Sequence, residues 1–375
     1  MPVAIEQPFQ VIPTLDYSLV DGSPEERKRF KADLLHALVN VGFMYLKNTP
    51  VTQARGIFEQ VNQLLGYIPK VFDLPVETKM TCSMLKSPHF LGYSRQGQEF
   101  TKGARDNREQ FDFATDYACT WKEGDMEWKR LWGPPLYPPE ESLPGFRKCI
   151  VDYLNGVAGL GFKVVELIEE CLKVPAGSLA QFYDEERMQQ RLKLLKYVDA
   201  SNLRPEDGTQ GVGPHFDHGL LTFLLQATAH PGLQVQNKAG QWIDAPPVPG
   251  TFVVNIGKAL EIATQNVCIA TSHRVISPPK GMGSRYSVPY FQSFSLAAKV
   301  NQGIPIPQEI LDLKRGRGET GIVESVNYSE YATECNGHVQ LIGRIKSHPD
   351  VGEKWYPELF NELFPDGRPS FGAAY

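Results

Sequence analysis

His215 and Asp217 stand two positions apart, just ahead of a bulky apolar run in which Thr222 carries the one hydroxyl. On a β-strand, residues i and i+2 project from the same face. Residues 213 to 226 therefore read as a buried strand with an imidazole and a carboxylate side by side at its mouth. Those two groups are two-thirds of a 2-His-1-carboxylate facial site, which holds a transition metal and leaves three positions open. The missing ligand is a second histidine. His273 supplies one, in a short strand-like run fifty-six residues beyond Asp217. A lone strand histidine is ordinarily a hydrogen-bonded core or surface residue; the constellation is what makes His273 a candidate ligand.

A second pair follows. Arg285 and Ser287 are again i and i+2, in the apolar stretch from 285 to 291. A guanidinium fork with a hydroxyl beside it suits a carboxylate, bound twice by the arginine and once by the serine.

The elements that must position these groups come in sequence order. Ser23, Pro24, Glu25 and Glu26 make a helix start, and Phe30, Leu34, Leu38 and Val41 form its buried stripe up to Gly42. Residues 42 to 48 read as a strand, and residues 53 to 72 as a second helix. Residues 143 to 172 carry the longest helical pattern, a scaffold helix along the outside of the core. Residues 175 to 182 read as a further short helix, and residues 190 to 197 as a barrel strand. The segments 232–236 and 241–243 flank a turn at Asn237-Lys238-Ala239-Gly240, a hairpin. Residues 251 to 256 are a buried β-branched strand. Trp121, Trp128 and Trp132, among prolines, read as packing groups. Residues 314 to 318 read as a mobile, solvated basic loop. Residues 329 to 331 and 349 to 364 read as C-terminal helices over the mouth of the barrel.

Together with Gly232-Leu233-Gln234-Val235, Gln241-Trp242-Ile243-Asp244 and Val253-Val254-Asn255-Ile256-Gly257, the two pairs and His273 resemble the 2-oxoglutarate-dependent non-haem iron dioxygenases. The likeness is to the branch containing isopenicillin N synthase and the plant-type hydroxylases, and it covers most of residues 10 to 300. It implies a mainly β fold with flanking helices around a double-stranded β-helix, or jelly-roll, core. The implied organisation is an N-terminal helix-and-strand region over 1–142, the jelly-roll core with both sites over 143–300, and a C-terminal helical extension over 301–375, together one structural domain. It implies Fe(II) on His215, Asp217 and His273, and 2-oxoglutarate as cosubstrate with O2. Arg285 and Ser287 would bind the far carboxylate, with Tyr197 a further contact. The reaction implied is oxidation of a small molecule (hydroxylation, desaturation or ring closure) with release of succinate and CO2, a chemistry used in secondary metabolism.

The chain departs from the family pattern at three places. Thr49-Pro50 replaces the usual His-Gly after Asn48; Leu195 and Val198 replace the Asn and Pro that flank Tyr197; Lys258 replaces an Asp and reads as a surface change. Other local features resemble ethylene-forming enzymes, which fragment 2-oxoglutarate and oxidise L-arginine. They are Gly92-Tyr93, Gly97-Gln98-Glu99, Thr101, Gly103 and Lys193. In that reading Glu99 meets a guanidinium and Lys193 an amino-acid carboxylate. Glu99, Lys193 and Phe291 are the candidate substrate contacts. His218, next to Asp217, is expected to face away in a structural role. A third reading, a non-catalytic binding protein on this fold, has no need of iron ligands.

Composition sets the outer bounds. The 375 residues are 42% hydrophobic and 22% charged, as in an ordinary globular protein. The net charge of −5, without a long basic run, speaks against nucleic acid or an anionic membrane as partner. No membrane-spanning run or signal-peptide pattern is read, and the six scattered cysteines suit reduced thiols in the cytoplasm. The expected partner is a small molecule; the sequence leaves the oligomeric state open.

Overall fold

A computed structural model describes residues 7–53, 57–101, 104–184, 187–203, 208–317 and 333–368. The expectations for Gly103, Gly318 and residues 329 to 331 lie outside these. The strands are β1 (Thr14–Asp16), β2 (Phe43–Lys47), β3 (Gly92–Ser94), β4 (Phe100–Thr101), β5 (Ala104–Arg105), β6 (Arg108–Ala114) and β7 (Arg191–Tyr197). They continue with β8 (Gln210–His215), β9 (Leu221–Gln226), β10 (Leu233–Gln236), β11 (Trp242–Asp244), β12 (Thr251–Ile256), β13 (His273–Ile276) and β14 (Arg285–Gln292). An eight-stranded sheet runs β1-β2-β12-β9-β14-β7-β6-β3, and a four-stranded sheet runs β11-β10-β13-β8. β1 and β2 pair in parallel, while the other described pairings in these two sheets are antiparallel.

The period of two sorts the large sheet into a helix side and a cavity side. On β12, Phe252, Val254 and Ile256 enter the core shared with the helices, while Val253 enters a smaller core between the sheets. On β2, Met44 and Leu46 take the first side, Phe43 and Tyr45 the second. The smaller core joins Val253, Tyr45, Leu195 and Tyr197 of the large sheet to Val212, Leu233, Val235 and Val275 of the small one. That shared interior is the jelly-roll seam.

The helix side is covered by α1 (Pro24–His36), the short α2 (Pro50–Gln53), α3 (Ile57–Asp73) and α5 (Phe146–Cys171); α4 (Val76–Thr81) follows α3. Ser23 and Glu26 cap α1 reciprocally, as their spacing requires. Gly42 ends this segment with φ 74°, and a Cβ there would lie 2.3 Å from the Thr271 hydroxyl oxygen, so only glycine fits. α5 buries Ile150, Leu154, Val157, Leu160, Val164 and Leu167, the stripe expected of the scaffold helix.

Downstream come α6 (Lys258–Ala263), α7 (Gln308–Leu311), α8 (Asn336–Ser347), α9 (Pro349–Trp355) and α10 (Pro357–Leu363). The last three pack with Phe90, Trp128, Leu131 and Trp132 into a third core. Trp128 and Trp132 are therefore packing groups, as expected. α8 is pinned at its start, where Asn336 Nδ2 donates to the carbonyls of Phe294 (2.9 Å) and Ser295 (3.1 Å).

Three local expectations change. The segment 213–226 is not one strand: β8 ends at His215, and β9 begins at Leu221 after a turn. Of residues 175 to 182, only Ala180–Phe182 is helical, as a single 3-10 turn. Of residues 314 to 318, expected as a loop, 314–317 belong to a 3-10 turn (Asp312–Arg317) braced by an Arg315–Asp312 ion pair of 3.0 Å.

Candidate active site

The register of the small sheet builds the site. β13 and β8 pair so that His273 lies directly opposite His215, with ring centroids 4.2 Å apart. Asp217 reaches the same point from the turn. That turn is held from below: the Lys258 and Ala259 backbone N–H groups, opening α6, donate to the carbonyls of Asp217 (2.8 Å) and His218 (3.0 Å). Two glycines allow the close approach, since a Cβ on Gly257 would stand 2.1 Å from the Gly219 carbonyl oxygen. Because the chain has left the strand by Asp217, the alternation of faces lapses. His218, expected to face away, instead joins the cavity wall.

Each ligand atom is aimed. The Nδ1 atoms of His215 and His273 lie 2.8 Å and 3.2 Å from the carbonyls of Gly213 and Thr271. Donation there puts the hydrogen on Nδ1 and leaves each Nε2 lone pair facing the centre. Asp217 Oδ2 accepts from Thr222 (2.5 Å) and Asn255 (2.8 Å), which leaves Oδ1 turned to the imidazoles, 3.7 Å and 3.8 Å from their Nε2 atoms. The three ligand atoms lie within 4.8 Å of one another. Burial, reinforced by His273, lowers the His215 pKa to about 3, so it is neutral and able to ligate. Burial acts to raise the Asp217 pKa, but the imidazoles and the two hydrogen bonds outweigh it and lower it. Two neutral nitrogens and one carboxylate oxygen, converging from one side, fit a divalent iron-type ion.

Arg285 and Ser287 share the cavity face of β14, as their spacing requires. Both are buried to 1% exposure. The Arg285 guanidinium spends one nitrogen on Gln226 Oε1 (2.9 Å) and lies over the Tyr197 ring at 5.1 Å. Its Nε and Nη1 are buried without a hydrogen-bond partner. Burial accordingly lowers its pKa. A buried guanidinium on a cavity wall with hydrogen-bonding capacity to spare is suited to receive a carboxylate.

Both groups open into a cavity of about 310 Å³ between the sheets, roofed by the C-terminal half of α8. Tyr197, Phe291, Glu99 and Lys193 all line it, so the expected site residues are brought together. Glu99 and Lys193, however, are not open to a ligand in the way the sequence suggested. Lys193 Nζ lies 3.0 Å from Glu99 Oε1, and Arg108 Nη2 lies 2.6 Å from Glu99 Oε2. Their charges are spent on each other because β7 and β6 are neighbours and the β4–β5 hairpin folds Glu99 back over them. Burial would raise the Glu99 pKa; Arg108 and Lys193 overcome it and hold the carboxyl well below its usual range. Lys258 pairs with Glu261 and lies 4.5 Å over the Phe216 ring, on the turn rather than in the cavity.

Sequence reasoning missed Asn255, Gln226, Arg191 and Arg344. Asn255 had a local signal, one amide in an otherwise apolar buried strand. The others join the site only through tertiary pairing, Arg191 and Arg344 on the cavity wall and Gln226 through its bond with Arg285.

The comparisons with known proteins agree with this geometry. Residues 12–140 match the model described as non-haem dioxygenase in morphine synthesis N-terminal, and residues 165–293 match the 2OG-Fe(II) oxygenase superfamily. The 2-oxoglutarate-dependent dioxygenase frbJ of Dothideomycetidae sp. (strain 11243) is 39% identical over 359 residues, 94% of each chain. A 2-oxoglutarate-dependent dioxygenase of Gibberella zeae is 35% identical over 94% of this chain and 92% of its own. Among solved structures, a full-length Neurospora crassa protein in complex with alpha-KG superposes with a TM-score of 0.64 at 27% identity, over 79% of this chain and 89% of that one. Similarity that runs nearly end to end, over a fold that brings two histidines and an aspartate beside a buried arginine, places the chain among the 2-oxoglutarate- and Fe(II)-dependent oxygenases.

Proposed function

We propose that His215, Asp217 and His273 hold the Fe(II) this enzyme family requires, and that Arg285, Ser287 and Tyr197 hold 2-oxoglutarate. The observation that carries the reading is the buried Arg285 guanidinium, with two nitrogens lacking a hydrogen-bond partner, on the wall of the cavity that His215, Asp217 and His273 also line. When bound, iron supplies the activation of O2 and the oxidative decarboxylation of 2-oxoglutarate to succinate and CO2. The protein's part is placement. Arg285 and Ser287 fix the far carboxylate, which orients the keto-acid end toward the ligand set. Asn255 and Thr222 hold Asp217 to one coordinating oxygen. The walls from Lys193 to Phe291 take the small molecule to be hydroxylated, desaturated or cyclised.

The geometry supports this over the ethylene-forming reading, because Glu99 and Lys193 are already engaged with each other and with Arg108. A non-catalytic receptor has no use for three converging ligand atoms. Six cysteines without a disulfide accord with a cytoplasmic enzyme, and among the described residues no helix is long and apolar enough to cross a membrane.

The test is anaerobic reconstitution with Fe(II) and 2-oxoglutarate, then admission of O2 with and without L-arginine. Succinate above a His215→Ala control, with no ethylene in either arm, is the expected result. Ethylene above that control would move the reading to L-arginine oxidation. A wild-type protein that binds no 2-oxoglutarate would overturn it.

A further inference from the structure

The far end of the cavity holds a second unmet demand for negative charge. Along the cavity face of β7 run Arg191, Lys193, Leu195 and Tyr197. Tyr197 pairs with Arg285, whereas Arg191 pairs with Phe291, and Phe291 pairs with Thr222, which holds Asp217. Arg191 thus lies six residues, ~20 Å along the strand, from the Arg285 end, and two strand spacings, ~10 Å, from Thr222. Above it, α8 presents Gln340, Gly343, Arg344 and Ser347 to the cavity, an i, i+3, i+4, i+7 face.

Arg191 and Arg344 both line this end of the cavity, where burial and the Arg344 charge disfavour the charge on Arg191 and Asp112 favours the charge on both. Arg191 is 7% exposed and donates only to the neutral carbonyls of His89, Phe90 and Leu131. The Nε atoms of both guanidiniums are buried without a partner. Among the described residues neither has a carboxylate within ion-pair distance: Glu99 is taken by Arg108 and Lys193, and Asp112 lies 3.5 Å from Lys193. The lining as a whole carries six cationic side chains against three carboxylates, Glu99, Asp112 and Asp217. Two buried guanidiniums on one cavity wall, with no carboxylate of the described residues within 4.0 Å of either and Asp112 shared with Lys193, are under-compensated, and an oxyanion between them relieves that deficit.

We propose that the primary substrate is an acid, whose carboxylate or comparable oxyanion is held between Arg191 and Arg344, across the cavity from the metal ligands. This rests on the site roles assigned above and adds the substrate class.

The test uses the full chain, anaerobic, with Fe(II) and saturating 2-oxoglutarate. Calorimetric titrations compare butanoate, hexanoate and phenylacetate with their primary amides. The acids are expected to bind at least about 10-fold more tightly than the amides. Arg344→Gln should abolish that preference and Arg344→Lys restore part of it, with 2-oxoglutarate affinity unchanged within about twofold in both. Equal binding of acids and amides, binding of no acid, or an intact preference in Arg344→Gln would overturn the proposal. If the wild-type protein fails to bind 2-oxoglutarate, the site roles fail and the proposal falls with them; if 2-oxoglutarate binds normally and the acids do not, only the acid class is lost.

Discussion

The pocket contains two clusters of buried charge, built on neighbouring strands and left in opposite conditions. Around Glu99 the charges close on themselves: Arg108 and Lys193 approach from two sides, Asp106 supports Arg108 at 3.2 Å, and His348 lies 3.6 Å away. Around Arg191 and Arg344, and again around Arg285, no carboxylate of the described residues lies within ion-pair distance of the guanidinium, and buried nitrogens lack a hydrogen-bond partner. In the closed cluster the charges pair with one another without help, even though the Arg108 Nε has no hydrogen-bond partner. An open one costs free energy in the empty protein that only a ligand recovers. Condition therefore separates wall from receptor where residue type does not, and it moves Glu99 and Lys193 toward the wall.

The largest effect should come from emptying the metal end. His215→Ala or His273→Ala is expected to weaken Fe(II) binding by more than about 100-fold and to remove 2-oxoglutarate-dependent succinate; a metal titration and a product assay check it. Opening the closed cluster comes next. Glu99→Gln leaves Arg108 and Lys193 facing a neutral group, and should cost about 3 kcal/mol in urea unfolding. If stability were unchanged, the contrast between the clusters would lose its basis. Arg285→Ala should raise the apparent KM for 2-oxoglutarate roughly 50-fold, the worth of a charge-assisted pair of hydrogen bonds, with partial rescue in Arg285→Lys. Asn255→Ala releases one hold on Asp217 Oδ2 and should weaken Fe(II) about 10-fold, leaving 2-oxoglutarate affinity intact once metal is saturating.

The smallest effect is a slope. Burial raises the Asp106 pKa to about 6 despite Arg108 nearby. A carboxyl raised in the fold favours the protonated state. Its contribution is whole below its unfolded pKa of about 4 and is lost as pH rises through about 6. Asp106→Asn should therefore flatten the fall in thermal stability between pH 4 and pH 7; an unchanged slope would assign that fall to other groups.

How much of this was legible in the sequence follows the range of the interactions. Arg285 and Ser287 were readable because a strand's period of two fixes their common face, and β14 is continuous through both. His215 and Asp217 were readable as ligands for a reason that was partly wrong. They converge across a turn held by α6, not along one strand, and the same turn brings in His218 against expectation. The two-sided sheet was visible in the apolar runs, whereas the jelly-roll topology came only with the family resemblance. Glu99 was picked out, but its partners come from β6, β7 and the end of α8, and no local pattern announces them. Arg344 escaped because a polar face on a helix ordinarily reads as solvated; here that face is turned inward over the cavity.

In the proposed arrangement 2-oxoglutarate would be held jointly by Arg285 and by the metal that His215, Asp217 and His273 would bind. The most direct test of that arrangement is anaerobic calorimetric titration of 2-oxoglutarate into the wild-type protein with and without Fe(II), and into His215→Ala with Fe(II). The account predicts tight binding only for the wild type with Fe(II). Binding of equal strength in all three would contradict it, because the cosubstrate would then be held without the metal centre.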